Sequence, residues 1–333
     1  MNFMEQVIEK AKAAPRRVVL QEGDDERIIE AGAKATAAGI AKITLIGTPK
    51  VMKEKAAAKG LSLDKIDIVD ITALPNLAEY AGELHNIRKA KGMTEEQAAT
   101  QMKDPLWYGA MMVRKGLVDS FVGGASYTTA DVARAGIQVV GMKEGIKTLS
   151  SFFVMMVPDK AFGVDGVLFF ADCAVVIDPD PNQLADIALM TAESFRSLMG
   201  REPLVAMLSF STKGSAKHPH IDKVLNALAI LKQKAPNLIV DGEMQGDSAL
   251  IPAVGEKKAK GSPVAGKATV LVFPDLDAAN IGYKLTERLA KAEALGPILQ
   301  GMAKPCSDLS RGCKASDVLN VIAINVVRLS ATK

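Results

Sequence analysis

The sequence predicts an α/β protein of two domains, each with three αβα layers around a mostly parallel or mixed sheet. Helical patterns alternate with short β-branched runs almost throughout the chain, which is typical of a sheet covered by helices. The chain has 333 residues, too many for one compact core, and this length indicates two domains. Polar, glycine-rich stretches follow several predicted strands, at the carboxyl ends where open α/β sheets bind ligands.

The first part of the chain predicts an amphipathic helix followed by four strands with helices between them. Glu5 and Glu9 lie in that first helix, where a signal peptide would be apolar. Gly39 and Gly92 mark the ends of two helices. The predicted strands are 17–20, 42–46, 66–70 and 118–122, and the predicted helices are 24–38, one ending near 59, 76–91, 94–101, 104–115 and 130–140.

A second group of strands and helices begins near residue 145, without an obvious linker. The segment 241–252 is predicted as a loop and a short helix. The pattern leaves open which domain the C-terminal tail packs against. The predicted strands are 151–157, 167–177, 204–208, 238–240, 269–273 and 297–300, and the predicted helices are 181–199, 220–234 and 278–292.

The composition favours a small anionic ligand over nucleic acid. Hydrophobic residues make up 48% and charged residues 24% of the chain, as in an ordinary soluble globular protein. Aromatic residues make up only 5%, too few for base-stacking surfaces. The net charge is +3, and no run of like charges occurs in the sequence. We therefore expect a small polyanionic ligand that is bound by a few positively charged side chains.

The cysteine content indicates a reducing compartment. Cys173, Cys306 and Cys313 are an odd number in a long chain, which argues against a disulfide framework and for the cytoplasm. No cluster of His, Asp or Cys completes a zinc pattern. The most apolar stretch, 152–177, is interrupted by proline and charged residues, so we expect no membrane span.

The stretch 296–320 carries the most suggestive group of side chains. A loop after the predicted strand 297–300 presents a hydroxyl at Ser310 and a guanidinium at Arg311, and a helix then starts near Ser316 with Asp317 in its first turn. Ser316 is predicted to cap that helix. Such a loop could bind an anion through Ser310 and Arg311 while Asp317 acts as a general base. The alternative is an ordinary turn, followed by an aspartate that only complements the helix dipole.

Three arginines at polar sites, Arg88, Arg134 and Arg311, lie far apart in the sequence. Arginine binds phosphates through two nitrogens and stays charged, so convergence of the three would make a polyphosphate or acyl-phosphate site. The alternative is that Arg88 and Arg134 are solvated helix residues. Other chemistries fit less well: residues 261–267 resemble a P-loop but precede a strand and lack its hydroxyl, and no dinucleotide fingerprint or G-x-S-x-G elbow is present.

Four blocks of sequence, together with GGASYTTADVAR at 123–134, resemble the phosphate acetyltransferase (phosphotransacetylase) family. They are 205–219, 241–254, 261–285 and 296–313. The resemblance implies an isocitrate-dehydrogenase-like fold in which residues 1–146 plus 298–333 form the first domain and 147–297 the second, with the active site in the interdomain cleft. It also implies a homodimer that transfers acetyl reversibly from acetyl phosphate to coenzyme A, with coenzyme A as a substrate, no tightly bound cofactor and no metal. The composition adds the expectation of a cytoplasmic protein without a nucleic-acid or membrane partner.

The resemblance also implies roles for individual residues. Ser310 and Arg311 match the family's active-site pair, and Asp317 matches its proposed general base. Because an ordinary aspartate is about four or five pKa units too acidic to deprotonate a thiol, we expect either burial of Asp317 or a concerted proton transfer. Arg88 and Arg134 match arginines tied to coenzyme A binding and catalysis, and Arg134 would hold the phosphate together with Thr128 and Thr129, whose hydroxyls lie beside the acyl phosphate. Arg288 matches a further arginine with a less defined role.

Several alternatives stay open at this point. A phosphate butyryltransferase or propanoyltransferase would share the site and differ in its acyl pocket, and a regulatory acyl-CoA-sensing module would not catalyse at all. The alternative mechanism is a covalent route in which Cys306 or Cys313 carries the acetyl group. A third position is less suitable for such a route, because this chain has Lys160 where some relatives have a cysteine. A metal-dependent dehydrogenase would share the fold, but the aspartates that it needs are not at convincing spacing.

Overall fold

A computed structural model describes residues 2–330 and divides the chain into two compact units. The first consists of Met1–Lys143 with Met302–Lys333, and the second of Glu144–Gly301. These bounds differ by a few residues from the ranges that the resemblance implies, because the strand ending at Gln300 pairs within the second unit. The predicted two-domain α/β class is confirmed.

The first unit contains a five-stranded, fully parallel sheet with the strand order β11-β4-β1-β2-β3. Helix α13 contacts α2 and the strands β4, β1 and β11, and α6 contacts β4 and β2. The strands are β1 (Arg16–Leu20), β2 (Ala41–Gly47), β3 (Asp67–Asp70), β4 (Ser120–Gly123) and β11 (Cys306–Asp308). The helices are α1 (Phe3–Ala13), α2 (Glu26–Ala37), α3 (Pro49–Ala58), α4 (Leu77–Arg88), α5 (Glu95–Gln101), α6 (Pro105–Arg114), α7 (Thr129–Ala135) and α13 (Ala315–Ser330).

Strand β11 was predicted as part of a loop, and this prediction is wrong. The segment is only three residues long, but its residues are buried, and it pairs with β4 in parallel so that Asp308 lies opposite Gly123. So short a strand lacks the alternating pattern that identifies strands in a sequence. Its pairing with β4 makes the following loop an exit loop of the first sheet.

A buried polar network holds β11 and α13 in place. Asn325 of α13 is fully buried, and its amide donates to the hydroxyl of Ser120 on β4 at 2.8 Å. Its carbonyl accepts from the hydroxyl of Ser307 on β11 at 2.7 Å. Because a buried amide left without partners is costly, these contacts specify how α13 sits on the two strands.

The second unit contains a mixed six-stranded sheet with the order β10-β5-β6-β9-β7-β8. The pairs β10–β5 and β5–β6 are antiparallel, and the other pairs are parallel. The strands are β5 (Ser150–Met156), β6 (Val167–Ala171), β7 (Val205–Leu208), β8 (Val240–Met244), β9 (Val270–Val272) and β10 (Glu293–Gln300). The helices are α8 (Pro181–Met199), α9 (Pro219–Lys234), α10 (Gly246–Leu250), α11 (Pro252–Lys258) and α12 (Leu276–Leu289).

Three further predictions need correction. Strand β8 continues through Gly242 to Met244, where a loop was predicted, because its neighbour β7 pairs with this polar sequence. Strand β6 ends at Ala171, since the carboxylate of Asp172 accepts backbone N–H groups of the turn that follows. Residues 136–140 form a π-helical segment rather than a continuation of α7. None of the helices within residues 2–330 is long and apolar enough to span a membrane.

Candidate active site

Three polar loops leave neighbouring strands at the same edge of the first sheet. We call residues 21–27, which follow β1 and include the first two residues of α2, the β1 loop. Residues 124–128 after β4 are the β4 loop, and residues 309–314 after β11 are the Ser-Arg loop. Because β1, β4 and β11 are adjacent and parallel, their carboxyl ends place the three loops side by side.

The backbone of the β4 loop wraps around the carboxylate of Glu22. The N–H groups of Gly124 and Ala125 each donate to Glu22 Oε2 at 3.0 Å, and those of Ser126 and Tyr127 donate to Oε1. Burial raises the pKa of Glu22, and these four hydrogen bonds oppose that rise. A run of N–H groups around one anion holds the loop in a fixed shape.

Arg27 joins the β4 loop to the Ser-Arg loop. Its Nη1 donates to the carbonyls of Arg311 and Cys313 at 2.7 and 3.2 Å, and its Nη2 donates to the carbonyl of Ala125 at 3.1 Å. Two hydrogen bonds to the carboxylate of Asp25 hold the guanidinium itself, and they keep the pKa of that carboxyl below its usual range. Arg27 therefore positions the backbone that carries Ser310 and Arg311.

The Ser-Arg loop presents its two side chains to solvent. Ser310 starts a turn in which its carbonyl accepts from Cys313 N–H at 2.9 Å and its hydroxyl accepts from Gly312 N–H at 3.2 Å. Arg311 is exposed, and its guanidinium has no hydrogen bond or ion pair within residues 2–330. The loop is thus anchored through its backbone and leaves a free cation at its tip.

Asp317 lies in the first turn of α13, and its carboxylate caps that helix. Its Oδ2 accepts the N–H of Lys314 at 2.8 Å. The predicted cap at Ser316 is wrong, because the helix begins at Ala315 and Ser316 lies inside it. Asp317 is only partly buried, and among residues 2–330 its Oδ1 has one long hydrogen bond, from the Ser316 hydroxyl at 3.5 Å.

The hydroxyls of the two predicted threonines are both engaged. Thr128 caps α7 in a reciprocal capping box with Asp131. Thr129 donates its hydroxyl proton to Asp308 Oδ2 at 2.5 Å, which connects α7 to the last residue of β11. Asp308 is 4% exposed, and burial raises its pKa to about 6, partly offset by the Thr129 hydrogen bond.

The predicted arginines are not all brought together. Arg134 is exposed on α7, which begins at the end of the β4 loop, and pairs with Asp131 at 2.9 Å. Arg88 is the last residue of α4, which contacts the π-helical segment after α7, and its Nε is buried without a partner. No hydrogen bond within residues 2–330 links Arg88 to the Ser-Arg loop. Arg288 lies on α12 in the second unit, where it is largely exposed beside Glu287.

The two cysteines near the loop are buried. Cys306 lies on β11 and is 1% exposed, and burial raises its pKa well above the usual range. Burial also raises the pKa of Cys313, although the nearby Arg27 opposes the shift. Protonated, enclosed thiols are poor nucleophiles.

A cavity of about 640 Å³ borders the β1 loop. Its lining includes Glu22, Arg27, Ser126 and Tyr127, with Ile46 on an apolar side. A cavity of this size holds a small organic ligand. Residues of the β1 loop and the β4 loop line it, whereas no residue of the Ser-Arg loop does.

The profile of the phosphate acetyl/butaryl transferase family matches residues 2–326. The chain belongs to this family. The predicted resemblance to phosphate acetyltransferases is therefore confirmed, and with it the assignment of the chain as an acyltransferase.

Proteins that match this chain over nearly its whole length are named phosphate acetyltransferase. The protein from Acetivibrio thermocellus is 49% identical over 333 residues, covering 100% of both chains. That from Clostridium acetobutylicum is 47% identical over 328 residues, covering 98% of each. The crystal structure of a phosphotransacetylase from Streptococcus pyogenes is 36% identical, covers 98% of both chains and superposes with a TM-score of 0.93.

Three residues that shape this transferase site were missed in the sequence. Glu22 and Arg27 belong to the segment QEGDDER, which follows β1 directly. Arg27 was predicted only as part of the helix 24–38, and Glu22 was given no role. Asp308 lies two residues before Ser310 but was assigned to a loop. A polar residue just after a buried strand is a signal that could have identified Glu22. Arg27 lies further along the chain and Asp308 belongs to a strand without a sequence signal, so this pattern reveals neither of them.

Proposed function

We propose that the chain is a phosphate acetyltransferase that converts acetyl phosphate and coenzyme A into acetyl-CoA and phosphate, reversibly. The observation that carries this proposal is the unpaired guanidinium of Arg311 on a loop that Arg27 anchors, six positions before the carboxylate of Asp317. A cation on an anchored backbone and a base on the helix that follows are the groups that acyl transfer to a thiol requires.

The proposed reaction proceeds in a ternary complex. Asp317 Oδ1, the oxygen that is not needed for the cap, accepts the thiol proton as the sulfur attacks the acetyl carbonyl. The Arg311 guanidinium, with the Ser310 hydroxyl, stabilises the negative charge that forms on the carbonyl oxygen. The tetrahedral intermediate collapses by breaking its bond to the phosphate oxygen, and phosphate leaves as an anion without a general acid.

Binding of the two substrates is assigned to four groups of the first unit and one of the second. Arg88 binds coenzyme A, Arg134 holds the phosphate of the acyl phosphate together with Thr128 and Thr129, and Arg288 is a further candidate for substrate binding. Coenzyme A is a substrate, and no tightly bound cofactor or metal takes part in the proposed steps.

The test is acetyl-CoA formation by the purified protein from acetyl phosphate and coenzyme A. We expect turnover with acetyl phosphate to exceed that with propanoyl and butanoyl phosphate. Faster reaction with the longer substrates would assign the chain to the butyryl branch of the family. If the protein bound acyl-CoA but transferred no acyl group, it would be a regulatory acyl-CoA-sensing module rather than an enzyme.

A variant in which Cys306 and Cys313 are both alanine is expected to keep its turnover. The physical reason is that both thiols are buried and protonated, whereas attack by coenzyme A needs neither. Intact-protein mass spectrometry of the unmodified enzyme with acetyl phosphate alone should show no added acetyl group. Loss of activity in a folded double variant, together with an acetylated enzyme, would establish the covalent route.

We also propose that the protein is a homodimer in the cytoplasm. Three free, buried thiols are typical of a reducing compartment. Helix α12 supports the dimer, because it carries Ile281, Leu285 and Leu289 on one face, with 57, 52 and 78% of each residue exposed. Apolar side chains at this spacing form a continuous stripe, and a stripe left exposed is typical of an interface.

Replacing both Leu285 and Leu289 by glutamate is expected to convert the dimer to a monomer. Burial of each leucine contributes about 1.5–3 kcal/mol, and two buried charges would oppose association further. Light scattering after size-exclusion chromatography measures the mass. Leu117→Glu is the control, since Leu117 is a single exposed leucine of the first unit. An unchanged mass in the double variant would show that this face of α12 is not the dimer interface.

A further inference from the structure

Asp308 is a buried carboxyl group that the proposed mechanism does not use. It ends β11 at 4% exposure, and its Oδ1 has no hydrogen-bond partner among the described residues. The backbone of Gly124 covers that oxygen so closely that a Cβ on Gly124 would lie 2.2 Å from it. A carboxylate normally accepts several hydrogen bonds, and a buried oxygen without one is costly when it carries charge.

The second oxygen of Asp308 contacts a residue of the substrate site. Its partner, Thr129, is exposed, and the two oxygens are 2.5 Å apart. The backbone N–H of Leu309 also lowers the pKa of the Asp308 carboxyl, but less than the Thr129 hydroxyl does. A hydroxyl has a single proton. When Asp308 is ionised, Thr129 donates that proton inward and offers only lone pairs to the outside. When Asp308 carries a proton on Oδ2, it donates to Thr129, whose own proton is then free to point outward.

A phosphate group distinguishes these two states, because its oxygens accept hydrogen bonds and do not donate them when fully ionised. We propose that Asp308 is a positioning residue that holds a proton while the acyl phosphate is bound, so that Thr129 donates to a phosphate oxygen. This inference rests on the proposed function, since it needs an acyl phosphate beside Thr129.

The surroundings of Asp308 favour its protonation within an accessible pH range. The elements packed against β11 are β4, α7 and α13. Helix α7 carries Asp131 and Arg134, which pair with each other, and α13 carries Asp317 and Arg328. Burial is the main reason why the pKa of Asp308 is raised to about 6. The negative charge of Glu22 on the β1 loop raises it further. A bound phosphate dianion adds negative charge and favours the protonated form further.

The consequence is a pH-dependent KM for acetyl phosphate. Below pH about 6 the proton is already present and KM is low. Above this pH, Asp308 must take up a proton when acetyl phosphate binds, so KM rises with pH. The rise ends where Asp308 stays ionised and Thr129 no longer donates to the phosphate. The total rise is expected to be about tenfold to a hundredfold, the effect of one hydrogen bond to a charged group.

Asp308→Asn tests the proposal, with KM for acetyl phosphate measured between pH 5.5 and 8.5 at saturating coenzyme A. The amide of asparagine donates to Thr129 at every pH, so we expect a low KM that no longer rises above pH 6. Asp119→Asn is the matched control, because Asp119 pairs with Arg17 in the same unit and has a lowered pKa. It should keep the profile of the unmodified protein.

Thr129→Val provides an independent readout if the asparagine variant does not fold. Without the hydroxyl, KM should be high at all pH values and should not rise further between pH 5.5 and 8.5, because ionisation of Asp308 then changes no donor to the phosphate. A pH-dependent rise that persists in a folded Asp308→Asn or Thr129→Val variant would overturn the inference. If the unmodified protein formed no acetyl-CoA at any pH, the proposed function itself would be wrong.

Discussion

Arg311→Gln is expected to lower kcat by about 10²–10³, with little change in KM for either substrate, because the guanidinium stabilises charge that exists only in the transition state. Glutamine removes that charge without releasing the loop. The Arg27 hydrogen bond goes to the carbonyl of Arg311 rather than to its side chain. Initial-rate measurements over both substrate concentrations give the two constants separately.

Two comparisons make the Arg311 result specific. Lys314→Gln removes a positive charge from the same loop, and its exposed side chain has no assigned role, so its rates should stay within about threefold of the unmodified protein. Arg88→Gln should instead raise mainly KM for coenzyme A, since Arg88 is assigned to binding. Equal changes of kcat and KM in the Arg88 and Arg311 variants would contradict this division of roles.

Asp317→Asn is expected to lower kcat by about 10²–10⁴ at neutral pH, the usual contribution of a general base. The asparagine carbonyl can still accept the N–H of Lys314 that Asp317 now accepts, so the helix stays capped. The deficit should shrink as the pH rises toward about 8.5, where a free thiol ionises without help. The measurement is kcat for both proteins from pH 6 to 9.

The structural alternative for Asp317 predicts a different pattern. If this carboxylate only caps α13, Asp317→Asn should leave kcat unchanged, and Asp317→Ala should lower the free energy of unfolding by about 1 kcal/mol. Thermal unfolding of both variants separates stability from catalysis. A kcat deficit that is the same at every pH would show that Asp317 does not take the thiol proton.

The parts of the fold that were predictable are those with local signals. Helix α1 follows from its amphipathic pattern and is capped by Asn2 and Glu5, and α8 follows from Asp180, Pro181 and a long apolar face. Strand β11 had no such signal, because three residues are too few to show a period. Strand β8 was cut short because Asp241, Gly242 and Glu243 are polar or small, although the pairing with β7 buries them.

The candidate site divides in the same way. Ser310, Arg311 and Asp317 could be chosen from one stretch of sequence, because their order along the chain and the resemblance to known transferases were both visible there. Arg27 could not, since its partners Ala125 and Arg311 are about 100 and 284 positions away. Thr129 and Asp308 are separated by 179 positions, and no local pattern reveals that one hydroxyl proton is shared between them.

The amino-acid sequence alone determined the class of fold, the family and the segments that carry the chemistry, because periodicity and motif order are properties of neighbouring residues. Tertiary structure decided which of those segments meet. The placement of β11 beside β4 brings the Ser-Arg loop to the β4 loop, and it buries Asp308 under Gly124 and against Thr129. Burial and hydrogen bonding set the protonation of a group, and both depend on contacts between residues that are distant in the chain.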